Sequence, residues 1–407
     1  MLIGLRVSIR MAKSLLLLAA MLALPVFQTA AGATDPYVLG VNLDLTGPWS
    51  DTNTRLKKAM QMEVERINEQ GGVNGHPLRL RVKDNGFDVS QASVNMLNFA
   101  RDPEVLAVIG PFEDTFQATT RAIAERQEIT NLIVCPSTPK MRALEQKWSF
   151  NVAHNDLIVA RKLVELCQAR GYKRVLAMTG NWTLARSLAE NLKRLGAKQG
   201  IEVHISKQTH KPSDIDMTPQ VIKIKPVLDT KNIQAIFAST GGPTAPILCK
   251  NLRNQGIDLP ILGTHAFGFG YILELGGQAV EGVEFPSGKT VTPYQLDDGD
   301  PVRPVITAFH ERMLERWDVG ADQISGHGYD MVWMLHDALE RITGRATRQK
   351  LRDALERTSG FKGCTGVYDY GPEDHDGLSP DDLIFVRIED QSFQRIRPEQ
   401  GSPAGLN

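Results

Sequence analysis

The sequence predicts an α/β protein of two lobes, each a parallel-rich sheet with helices on both faces, with a ligand cleft between the lobes. Three observations carry this. Short apolar runs alternate with helical stripes along nearly the whole chain, the pattern of parallel sheets covered on both sides. The length of 407 residues is long for one hydrophobic core and suits two domains. No Gly/Pro/Ser-rich linker separates the first series of elements from the second near Asn155, so the join reads as a crossing within a hinge and not as a tether.

The first series opens with the apolar run 37–43, suited to a central strand, and turns at Thr46-Gly47-Pro48. Leu56, Met60, Val64 and Ile67 then recur at helical spacing and define one buried stripe. That helix stops before Gly71-Gly72, where the backbone turns freely. Residues 78–82 alternate as a strand, 92–99 read as a helix, and 105–109 form a short buried strand closed by Gly110-Pro111. A helix over 115–126 leads to a strand over 131–134.

The second series begins with a helix bearing Ile158, Leu163, Val164 and Leu166. It continues as strand 174–178, helix 182–195 ended by Gly196, strands 202–206 and 233–238, helix 246–254 ended by Gly256, and strand 260–262. Residues 207–225 show no clear period. The tail offers amphipathic helices over 302–317 and 329–342, a helix over 348–357, and a hairpin-like pair, 366–370 with 383–388. These pieces need a sheet to cover and are too few for a third domain, so the tail is expected to return to both lobes.

Residues 1–33 read as a signal peptide, with Arg6, Arg10 and Lys13 before an apolar run from Ser14 to Phe27 and small residues at Ala31 and Ala33. The run is shorter than the roughly 20 residues a membrane span requires. No Cys stands near the junction for lipid attachment. Export places the protein in the periplasm, soluble after cleavage. Beyond residue 33 the chain has 43 basic against 47 acidic residues. The signs are mixed and no basic block stands out, which argues against nucleic acid as a partner. The cysteines Cys135, Cys167, Cys249 and Cys364 are widely spaced and show no zinc pattern. They read as buried free thiols or at most one bridge.

Several stretches together resemble the branched-chain amino-acid binding proteins of ABC importers, the class I periplasmic binding fold. They are Leu45-Thr46-Gly47-Pro48 after the first strand, Ile67 to Gly75 (INEQGGVNG) closing the first helix, and Asp84-Asn85 after the second strand. Val108-Ile109-Gly110-Pro111, Pro136-Ser137-Thr138, and Gly276 through Gly282-Val283 complete the set. No single motif is strong; their order along residues 37–396 is. The resemblance implies a three-crossing hinge, with a first lobe of 34–156 and 288–366, and a second of 157–287 joined by 367–397. Residues 398–407 would be a flexible tail. It further implies a small-molecule ligand held between lobes, an inner-membrane ABC permease as partner, and a monomer without metal or cofactor.

Ligands of open α/β sheets bind beyond the carboxyl ends of the strands, and the candidate contacts follow from that rule and the resemblance. Trp49 follows the first strand and offers an apolar face and one donor. Asp114 stands at a helix start where the resembled family usually has a Ser that helps hold a ligand carboxylate; a role as helix cap is the alternative. Ser137 and Thr138 offer hydroxyls after the fourth strand. Trp182 occupies a strand-to-helix turn where the family commonly presents an aromatic. His265 stands where amino-acid binders often place an acid for the ammonium group. Phe267, with Phe269 and Tyr271, could form an aromatic wall, and Gly241 permits close backbone approach. Asp114 and His265 depart from the amino-acid pattern and leave open an amide, a hydroxylated compound, an aromatic/organic acid or a cation beside an amino-acid-like solute.

Catalysis is not expected. Gly-x-Ser-x-Gly and HExxH are absent, and no Gly-x-Gly-x-x-Gly follows the first strand. A solute sensor that signals through a partner from the same cleft is the alternative to transport.

Overall fold

A computed structural model describes residues 34–135, 138 and 147–397. The expected signal segment 1–33, Ser137 and the tail 398–407 lie outside the described residues. The first sheet is built from β1 (Tyr37–Leu43), β2 (Leu78–Asp84), β3 (Val105–Ile109), β4 (Thr130–Ile133) and β5 (Ser149–Asn151). Its order is β2-β1-β3-β4-β5 with every pairing parallel. The helices between these strands are α1 (Ser50–Glu69), α2 (Val89–Arg101) and α3 (Asp114–Gln127). The stripe read from the sequence is the buried face of α1: Leu56, Met60, Val64 and Ile67 are all in the core.

The second sheet contains β6 (Arg174–Gly180), β7 (Glu202–His210), β8 (Ala235–Ser239), β9 (Ile261–Gly263) and β10 (Glu284–Gly288). These run parallel in the order β10-β9-β8-β6-β7. Its helices are α4 (Asp156–Ala169), α5 (Thr183–Ala197), α6 (Thr218–Thr230), α7 (Thr244–Asn254) and the short α8 (Tyr271–Gly276). The chain then forms α9 (Arg303–Trp317), α10 (Gln323–Glu340) and α11 (Arg348–Glu356). α10 packs along α1, and α11 against β3 and β4, so these helices serve the first lobe. The two short strands β11 (Phe361–Lys362) and β12 (Val367–Tyr368) pair only with each other. Last, β13 (Leu383–Glu389) adds antiparallel to β10, and β14 (Ser392–Ile396) closes the edge.

The hairpin therefore differs from the expected one. Its arms are 383–389 and 392–396, turned at Asp390 (φ 51) and Gln391 (φ 56). Two successive left-handed residues match the twist of the strands they join. Residues 366–370 are held elsewhere: Tyr368 Oη lies 2.8 Å from Val152 O and 2.9 Å from Asp330 Oδ2, its one proton serving either acceptor, and Tyr370 Oη donates to Asn151 O at 2.7 Å. Where the chain passes between the sheets, its strands are tied to each other. Asn155 Nδ2 donates to Asp376 Oδ2 (3.1 Å), and Thr290 Oγ1 donates to Cys364 O (2.7 Å). The four cysteines are free and buried, and no helix among the described residues is long and apolar enough to cross a membrane.

Candidate functional site

A cavity of about 50 Å³ lies at the carboxyl ends of the strands, and both lobes wall it. From the first lobe come Trp49, Phe112, Glu113, Asp114, Val134, Cys135 and His327; from the second come Trp182, Leu184, Ala185, Thr240, Gly241, His265 and Phe269, among others. That volume holds several water-sized bodies, hence a solute of a few heavy atoms.

The two tryptophans reach the cavity because glycines lie beneath them. A Cβ on Gly180 would stand 1.9 Å from Trp182 Cζ3, and one on Gly242 (φ 63) would stand 2.5 Å from Trp49 Cζ3. Each ring therefore lies on bare backbone. Trp49 meets Phe112 at 5.3 Å and 55°, and meets Trp182 edge-on at 6.5 Å and 87°. Behind Trp182 stands His210, at 5.5 Å and 84°. His210 Nε2 is bonded to Thr240 Oγ1 (2.8 Å), which is bonded to Thr244 Oγ1 (2.8 Å). The ring is thus set by a hydrogen-bonded layer beneath it.

Asp114 does not cap its own helix. It is the first residue of α3, and its Oδ2 accepts the Leu184 N–H at the start of α5 in the opposite lobe, at 2.5 Å. A helix N-terminus favours an anion, so the first lobe supplies the charge that the second lobe's helix attracts. Asp114 Oδ1 has no hydrogen-bond partner among the described residues, although the residue is buried. Next to it, Glu113 is also buried. Burial and the adjoining Asp114 hold its carboxyl well above the usual carboxylate range. Asp44, buried at the end of β1, is pushed up by burial to about 7.

The histidines of the site are neutral in character. Burial brings His265 down to about 4 and His327 down to about 3, because a cation loses its hydration there. His327 Nδ1 is bonded to Thr365 Oγ1 at 3.0 Å, while His265 Nδ1 has no partner. The indole Nε1 of Trp49 is likewise buried without one. No group of three or more His, Cys, Asp or Glu among the described residues is placed to hold a metal ion.

Of the residues singled out in the sequence, Trp49, Asp114, Trp182, Gly241 and His265 come together on this cavity. Thr138 is buried with its hydroxyl unpartnered and does not line the cavity. Phe267 also stays off it: the ring is fully buried and packs on Phe285 at 6.0 Å, and Phe269 faces the cavity instead. A short 3-10 turn over His265–Gly268 sets this alternation. Sequence reasoning missed Phe112 and Glu113 as wall residues. It missed His327 entirely, for it lies on α10, far along the chain, with small neighbours Gly326 and Gly328 as its only signal.

A family model described as periplasmic binding protein matches residues 36–392. The chain belongs to that family of solute-binding proteins. A leucine-, isoleucine-, valine-, threonine- and alanine-binding protein of Pseudomonas aeruginosa is 22% identical over 85% of this chain and 89% of its own length. An extracellular ligand-binding receptor from Rhodopseudomonas palustris superposes with a TM-score of 0.78 at 21% identity, covering 89% of this chain and 100% of the other. A leucine-binding protein from Thermotoga maritima does so with 0.76 at 21% identity, over 88% and 97%. The architecture is that of the leucine-binding-protein-like members.

Proposed function

We propose that this protein is the extracytoplasmic solute-binding component of an ABC importer. It captures one small solute by lobe closure and delivers it, unchanged, to an inner-membrane permease. The observation that carries the reading is a cavity walled by both lobes and bridged by the Asp114–Leu184 bond. A site divided between two bodies assembles only when they meet, so binding and closure are one event. The family match over residues 36–392 and the roles named for the relatives support the same reading. Signal-like residues 1–33 support a periplasmic location.

Mass spectrometry of small molecules released from gently purified protein tests this. A single metabolite in near-stoichiometric amount is expected, with solution scattering showing a more compact particle when it is added back. A particle that neither carries nor answers to any solute of a broad metabolite panel would overturn the reading.

A further inference from the structure

We infer that the solute taken by this cavity is a small organic monocation, an amine or quaternary ammonium, with its charged group at Glu113 and Asp114 and its carbon skeleton among Trp49, Phe112 and Trp182. The inference rests on the proposed reading of the cavity as the solute site and narrows that reading to a chemical class.

Charge is the first argument. Glu113 and Asp114 are 4% and 3% exposed and both line the cavity, whereas no Lys or Arg does among the described residues. Two neighbouring carboxyls in so dry a place resist carrying two charges, which favours a single negative charge on the pair. Burial and Asp114 together raise the Glu113 carboxyl. Asp44 lies close enough behind Glu113 to add its own repulsion of a second anion. One positive charge satisfies the pair, and a ligand carboxylate would be repelled. The end of α5 that would welcome such a carboxylate already holds Asp114.

Geometry is the second argument. Asp114 spends Oδ2 on the Leu184 N–H, its Oδ1 is buried without a partner among the described residues, and the residue lines the cavity. This is one strong acceptor in reach of one donor group. The walls are the third argument. Trp49 with Phe112 at 55° and Trp49 with Trp182 at 87° make an angled set of rings, and the faces of such rings are electron-rich and attract ammonium groups. The Trp49 Nε1 donor, also unpartnered, suits a neutral acceptor such as a hydroxyl on the same solute.

Calorimetry and thermal unfolding of the purified exported protein near neutral pH provide the test, with matched probes. Isobutylamine is compared with isobutyramide and isobutyrate, and choline with its neutral isostere 3,3-dimethyl-1-butanol. The cations are expected to bind at least tenfold more tightly than their neutral isosteres, and isobutyrate not at all. In Asp114→Asn, whose amide oxygen can still accept the Leu184 N–H, that preference is expected to vanish while the melting temperature of the free protein stays close to the parent's. Equal binding of a cation and its isostere, or a preference that survives Asp114→Asn, overturns the proposal. If leucine or isobutyrate binds and compacts the particle while the amines do not, the class is wrong and solute capture stands. If none of these probes binds, the cation class is overturned, and solute capture falls with it only when the broad metabolite panel also leaves the scattering unchanged.

Discussion

His210 shows how much of this site is set by residues that do not touch the cavity. It stands behind Trp182, bonded to Thr240, and burial pulls its pKa down to about 4, with Asp214 opposing weakly. The fold therefore prefers the neutral imidazole. Between about 4 and the ordinary 6.5, the unfolded chain binds the proton that the folded one refuses. The contribution is complete above 6.5 and is lost as pH falls through that window, at a cost of about 3 kcal/mol at the acid end. Asp330, which burial raises to about 6, acts with the opposite sign: its folded state holds the proton, so stability falls as pH rises from 3.8 towards 6. Whole-protein profiles mix these terms, and a difference between variants separates them. His210→Gln should flatten the urea-unfolding profile between pH 6.5 and 4 by close to one proton's slope, while an unchanged slope would show that His210 titrates normally. A companion variant bears on the ring in front of it. Trp182→Ala should weaken capture of whatever solute the protein releases on purification by tenfold or more, as truncation of a buried aromatic anchor does, read by calorimetry.

At the scale of elements, the sheets are held in place by contacts that sequence patterns do not announce. Arg348, the first residue of α11, donates from Nε to Val105 O (2.9 Å), from Nη1 to Ala100 O (2.8 Å) and from Nη2 to Asp102 O (2.6 Å). It thereby ties off the carboxyl end of α2 and the start of β3, satisfying carbonyls that the helix leaves open. Arg348→Ala should cost roughly 2–4 kcal/mol in urea unfolding, and Arg348→Lys should recover less than half, since a point-like ammonium cannot span the fork. An alanine variant as stable as the parent would mean that water replaces those bonds freely. Most elements were legible beforehand because their burial leaves a period: β1 and β3 at their observed bounds, and β2, β4, β6, β9, α1, α3, α5, α7, α9 and α11 to within a few residues. A few left no such trace. α6 carries Pro226 in its interior and lies in the stretch that showed no period. β5 has three residues and β10 contains Pro286. The true hairpin turns on Asp390-Gln391 and lacks the glycine that usually marks such a turn. At the site, the rule of strand carboxyl ends together with the family resemblance singled out Trp49, Asp114, Trp182 and His265, because sequence position fixes where a strand ends. It could not separate Phe267 from Phe269, whose facing is decided by one short turn, nor find His327, which only tertiary packing brings near.

At the scale of the whole molecule, the two lobes touch at the cavity and at a second set of contacts. At the cavity is the Asp114–Leu184 bond. In the second set, Arg55 of α1 pairs with Glu274 of α8 at 2.8 Å, and Asp322, the N-cap of α10, accepts the Gly270 N–H at 2.9 Å. α8 packs on α7 and so moves with the second lobe, whereas α1 and α10 form the first. Asp322 is a poor probe of closure, because it also caps α10 in a reciprocal pair with Ser325 and its loss would loosen the helix. Arg55 is a better one: its guanidinium is partly exposed and Glu274 more so, and its second carboxylate neighbour, Asp322, stands 4.0 Å away within the first lobe. A pair of that kind contributes up to about 1 kcal/mol, which is up to roughly a fivefold change in the ratio of closed to open molecules. Arg55→Ala should therefore raise the radius of gyration of the solute-free protein and speed solute release, without altering which solute is chosen. High salt should mimic part of the effect in the parent and add little in the variant. Arg66→Ala is the control, since Arg66 lies on the same helix but pairs with Glu63 inside the first lobe. If both variants, or neither, change the scattering, Arg55 does not hold the lobes together, and closure rests on the cavity face alone.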